Sequence, residues 1–171
     1  MKVPTARILV IDDNLAVVDI LATALGEEGY GVLSAVTSDE GLKLFILSQP
    51  DLVLLDIKTW DPERHQHLTG MDNATILEFA RRLASLKRPV FLRFVLVPGF
   101  TDDVEDIGRI AAFIASLGNV EQVDVLPFHQ MGRYKWKNLG IPYTLENVEP
   151  PSAELIERTC AQFRCVGLKA Y

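Results

Sequence analysis

Apolar residues fall in short blocks that alternate with stretches of helical spacing. Arg7-Ile8-Leu9-Val10-Ile11 is an apolar run closed by Asp12-Asp13, the pattern of a buried parallel strand with acids at its carboxyl end. Val17, Val18, Leu21 and Leu25 then recur at helical spacing over about 15–28, with Gly29 suited to the residue after the helix. Residues 31–35 form a second strand, and Ser38 is placed to cap a helix over about 39–48 that Pro50 stops. Residues 51–57 are apolar nearly throughout, as befits a central strand covered on both faces. A polar loop over about 58–72 contains Asp61-Pro62-Glu63, which predicts a short helix near 62–68 ending at Gly70.

Further along, the spacing predicts a helix over about 73–86, a strand over 90–97, and a helix capped by Thr101 with acids in its first turn and Gly118 at its end. A strand over 120–126, an irregular stretch over about 128–151 and a last helix over about 152–163 complete the chain. Strands that alternate with helices imply right-handed crossovers and a parallel sheet. Five strands are too few for an eight-stranded barrel. The expected fold is therefore α/β: a three-layer, doubly wound parallel five-stranded sheet of flavodoxin-like order 2-1-3-4-5. Such sheets bind ligands at the carboxyl ends of their strands. Asp12, Asp13, Asp56, Lys58, Arg93 and His129 lie at or near those ends.

The chain has 171 residues, 49% hydrophobic and 23% charged, with a net charge of −6. That size and balance suit one packed domain, expected to span 1–171. Without a basic excess there is little to attract nucleic acid. No apolar run approaches the roughly 20 residues of a membrane span, and the start lacks signal-peptide anatomy, so a cytoplasmic location is expected. The two cysteines, Cys160 and Cys165, are expected to be reduced thiols. His65 and His67, two apart, lack the spacing of a helical metal pair and are expected to face solvent.

Two families are resembled. Ile8-Leu9-Val10-Ile11-Asp12-Asp13-Asn14, Gly29-Tyr30, Ser38-Asp39-Glu40-Gly41-Leu42 and Pro50 through Asp56 resemble a response-regulator receiver over about 1–57. That resemblance implies an Mg²⁺ site at Asp12, Asp13 and Asp56, with Asp56 the phosphoacceptor. Yet Leu126 stands where a receiver carries Lys, and the fourth strand ends without Ser or Thr. From Asp51 onward the chain is similar to the back part of the radical S-adenosylmethionine activase family. The carrying segments are Asp56-Ile57-Lys58, His67 through Asn73, Arg93 through Asp103, Leu126-Pro127-Phe128-His129, Tyr134-Lys135-Trp136 and Glu149-Pro150-Pro151. It implies S-adenosylmethionine contacts at Asp56, Lys58, Arg93 and His129. It also implies a [4Fe–4S] cluster on three closely spaced thiolates, which two cysteines cannot supply.

The resulting expectation is a chimera joined near 51–57, with 58–171 activase-like, most simply an engineered scaffold without catalytic activity. A natural fusion or truncated gene is the alternative origin. A degenerate receiver that binds Mg²⁺ and residual S-adenosylmethionine binding without radical chemistry are the alternative functions. No cofactor beyond Mg²⁺ is expected, and no partner is required, although a homodimer that covers an exposed edge is open.

Overall fold

In the computed structural model, residues 6–12, 15–70, 72–132, 143 and 145–171 are described. β1 (Arg7–Ile11) leads to α1 (Leu15–Glu27), β2 (Gly31–Ala35), α2 (Ser38–Ser48) and β3 (Leu52–Asp56). Then come α3 (Pro62–Thr69), α4 (Ala74–Ser85), β4 (Val90–Leu96), α5 (Val104–Leu117), β5 (Val120–Pro127), a 3₁₀ turn (Gln130–Gly132) and α6 (Ala153–Cys165). The five strands form one sheet in the order β2-β1-β3-β4-β5, and every pairing is parallel. The expected fold class is the observed one.

Alternation along the strands sorts side chains onto two faces. Leu9, Ile11, Val53, Leu55, Leu92, Phe94, Leu96, Val123 and Val125 point to the larger core, where α2, α4, α5 and α6 add Phe45, Leu83, Ile110, Ile114 and Phe163. Ile8 and Val10 point the other way, under Val18, Leu21 and Leu25 of α1, with Leu52 and Leu54 alongside. Among the described residues, α1 covers one face, over β1 to β3, while α2, α4, α5 and α6 cover the other.

The placement of α6 follows from handedness. Val123 forms a parallel bridge with Ala170, and Val125 N donates to Tyr171 O at 2.9 Å, so the chain end lies beyond β5. A right-handed crossover that moves on in the direction already taken from β3 to β4 to β5 puts its helix on the same face as α4 and α5. A last strand-like pairing of three residues carries no periodicity, and the sequence reading does not include it.

Two caps differ from expectation. Thr37, rather than Ser38, caps α2, its side chain accepting from Glu40 N. Asp103, rather than Thr101, caps α5 by accepting from Asp106 N. Thr101 is buried and braces the turn instead: its Oγ1 donates to Val95 O at 2.8 Å and accepts from Val97 N at 2.7 Å. Asp61 caps α3 as expected, and Gly70 closes it with a positive φ of 77°.

Candidate functional site

Parallel strands bring their carboxyl ends together, and there β1 and β3 end in acids while β4 carries Arg93 in register with Asp56. Arg93 Nη1 donates to Asp12 Oδ2 at 3.1 Å, with side chains 13% and 4% exposed. Lys58 Nζ sits on Asp56 Oδ2, and those side chains are 22% and 3% exposed. Asp56 Oδ1 is buried and meets no partner. Beside them lies a cavity of about 50 Å³ lined by Asp12, Asp56, Lys58, His65, Thr69 and Asp72 among others.

The loop that carries Lys58 is gripped from two helices. Asp106 of α5, 6% exposed, accepts from Thr59 Oγ1 at 2.7 Å, Trp60 N at 3.0 Å and Asp61 N at 2.8 Å. Asn73, at the start of α4, donates through Nδ2 to Trp60 O at 2.6 Å. Neither residue was singled out from the sequence. Asp106 reads there as one more acid in a helical first turn, and only the fold reveals its three donors.

Of the sequence-predicted site residues, Asp12, Asp56, Lys58 and Arg93 converge, whereas His129 is exposed after β5. Asp13 lies outside the described residues, as do Tyr134, Lys135 and Trp136. His67 is exposed as expected, but His65 is buried, 8% exposed, with Nδ1 3.2 Å from Thr69 Oγ1. A polar helix of eight residues gives no apolar stripe from which an inward face could be read.

A second concavity lies at the same end of the sheet. It is an open groove of about 760 Å³ between α3, the β4–α5 turn and α6, lined by Arg64, His67, Phe100, Asp102, Asp103 and Arg158 among others. Its walls are braced: Arg64 Nη2 lies 3.4 Å from Asp103 Oδ2, and Arg158 Nη2 donates to Asp102 O at 2.8 Å. Hydrogen bonds from Asp106 N and the Arg64 guanidinium nearby hold the Asp103 carboxyl below its ordinary pKa.

A cavity of about 50 Å³ has room for a few waters. Among the described residues no group of three or more His, Cys, Asp or Glu is placed to hold a metal. The chain has two cysteines, Cys160 buried and Cys165 exposed. Two cysteines therefore do not fit a [4Fe–4S] cluster. Burial pushes the Cys160 thiol up, with Arg164 acting in the opposite sense. Cys165 is expected to react with a disulfide reagent at once, and Cys160 about a hundredfold more slowly, at the rate at which α6 opens. Native-state thiol titration checks this, and equal rates would refute it.

No family model matches the chain. It is 57% identical over 107 residues to a pyruvate formate-lyase-activating enzyme of Staphylococcus epidermidis, a match covering 63% of this chain and 43% of that protein. The chain thus spans less than half the length of that relative. Among solved structures, a domain of pyruvate-formate lyase-activating enzyme from Bacteroides vulgatus superposes with a TM-score of 0.66 at 25% identity. That superposition covers 92% of this chain and 89% of the domain. A receiver domain from Methanospirillum hungatei superposes with a TM-score of 0.52 at 20% identity over 79% of this chain and 92% of its own, which speaks to the fold. Among the described residues no helix is long and apolar enough to cross a membrane.

These likenesses correct three expectations. An engineered scaffold without activity, and with it the two fallback functions, gives way because relatives this similar are named for an enzyme. The assignment as a non-enzyme falls for the same reason. The expectation of no cofactor beyond Mg²⁺ falls as well, since the activase resemblance attaches an iron–sulfur cluster and S-adenosylmethionine to enzymes of that name. What stands is a chain similar over much of its length to pyruvate formate-lyase-activating enzymes, on a sheet shared with receiver domains.

Proposed function

We propose that this chain works on the activating side of a pyruvate formate-lyase-type system, engaging a target polypeptide along the groove between α3, the β4–α5 turn and α6. The observation that carries this reading is the 57% identity over 107 residues with an activating enzyme. The groove supports it, because its lining residues all belong to the stretch from Asp51 onward that resembles that family. Apolar Leu68, Phe100 and Val104 lie there among charges of both signs, a surface suited to an extended segment with alternating side chains. The three closely spaced thiolates of such a cluster are not supplied by Cys160 and Cys165.

In the same reading the chain joins a receiver-like front to an activase-like back at β3, and 1–171 acts as one cytoplasmic unit. Asp56, Lys58, Arg93 and His129 would lie on the side facing the target. The join is supported by where the two resemblances meet and by the unbroken pairing of β1, β3 and β4.

The experiment is a titration of the fluorescently labelled chain with purified pyruvate formate-lyase. A rise in anisotropy with a Kd of about 1–100 μM is expected, weakened about fivefold or more by Phe100→Ala, since buried aromatic anchors dominate such contacts. Excess chain should also slow glycyl-radical formation by an intact activating enzyme, followed by electron paramagnetic resonance. Flat anisotropy together with an unchanged radical rate would reject the reading.

A further inference from the structure

The two acids that end β1 and β3 are each held by a cation of this same chain. Arg93 reaches Asp12 across the β3 strand end, and Lys58 folds back onto Asp56. Both carboxylates are almost wholly buried, and two buried like charges at neighbouring strand ends oppose each other's ionisation. One remedy is a divalent ion, which takes hard oxygen ligands. The other is a pair of organic cations, and the two ion pairs here sum to zero charge. A divalent ion would have to displace the Lys58 ammonium, which shares a cavity of about 50 Å³ with both carboxylates.

We infer that Arg93 and Lys58 stand in the place of a divalent ion, close the acidic strand ends to metals, and uncover a divalent-cation site when removed. The donors of that site are Asp12 and Asp56, and the partnerless, buried Asp56 Oδ1 already faces this setting as a vacant acceptor. Removing the Lys58 side chain widens the cavity, which an octahedral ion that keeps several waters requires. Because Asp12 belongs to the receiver-like front and Arg93 to the activase-like back, the same pair ties the two stretches together. This inference is independent of the groove and of any target polypeptide.

The test uses Mn²⁺ alone as the probe, its free fraction read by electron paramagnetic resonance, with melting curves alongside. The unaltered chain is expected to bind no Mn²⁺ and to show no metal-dependent melting shift up to about 10 mM, roughly tenfold beyond the weak end of protein cation sites. Lys58→Met with Arg93→Met should bind Mn²⁺ at least about tenfold more tightly, a 1.4 kcal/mol change, and should melt higher in its presence. Adding Asp12→Asn and Asp56→Asn should abolish both effects. An unaltered chain that binds Mn²⁺ as tightly as the double variant would overturn the inference. So would a folded double variant that takes up none. If the double variant fails to fold even with Mn²⁺, Arg93→Met alone carries the test, and the absence of any gain there overturns it.

Discussion

Replacing Phe94 by alanine is expected to cost about 3–5 kcal/mol of folding stability. Phe94 is fully buried at the middle of β4, and its ring lies 5.5 Å from that of Phe163 at 66°, an edge-on contact that fastens α6 to the sheet. Truncation removes the transfer energy of the ring, leaves a cavity that a central strand cannot collapse to fill, and unseats α6. Domains are typically stable by about 5–15 kcal/mol, so the variant should lose between about a fifth and all of its margin. Urea unfolding followed by far-ultraviolet circular dichroism measures it. A loss below about 1 kcal/mol would mean that the site repacks, and that β4 is not the strand on which the larger core depends.

Asp106→Ala should come next, at about 3 kcal/mol or more, because each buried donor left without an acceptor costs roughly 1–3 kcal/mol. Three donors would be stranded at once: the Thr59 hydroxyl and the N–H groups of Trp60 and Asp61. Asp106→Asn keeps an acceptor oxygen and should cost distinctly less. Trp60, whose ring sits 5.4 Å from Phe113, reports on the same loop, so its emission should shift in the alanine variant before global unfolding. Equal stabilities for the alanine and asparagine variants would show that the acceptor oxygens do not hold the loop.

Much of the architecture was legible because its strands are short, apolar and separated by recognisable stops. Residues 52–56 and 90–96 read as strands from composition alone, and the right-handed crossover rule turned their order into a sheet. The errors have local causes. Thr37 and Ser38 are adjacent hydroxyl residues, and the backbone at Thr37, φ −133° and ψ 155°, decides which one caps. Thr101 and Asp103 compete in the same way, and Thr101 is drawn into the turn behind β4. At the site, the strand-end position of Asp12, Asp56, Lys58 and Arg93 followed from topology. The joining of Arg93 to Asp12 across 81 positions did not, because it depends on how far a guanidinium reaches over an intervening strand. His65 escaped notice for a simpler reason: Thr69, one turn along the same short helix, gives it a partner that no hydrophobic pattern announces.

The uneven clothing of the sheet bears on where charge can live in this protein. Beyond the reach of α1, the thin side of β4 and β5 holds Arg93, Gln122 and Asp124, all partly open, with Gln122 Nε2 donating to Asp124 Oδ1 at 2.8 Å. A further helix laid over that side would strip water from a guanidinium and a carboxylate, a penalty that apolar contact with Phe91 and Val95 would struggle to outweigh. Among the described residues, this side of β4 and β5 thus keeps ionic side chains in touch with water, which a second covering helix would take from them.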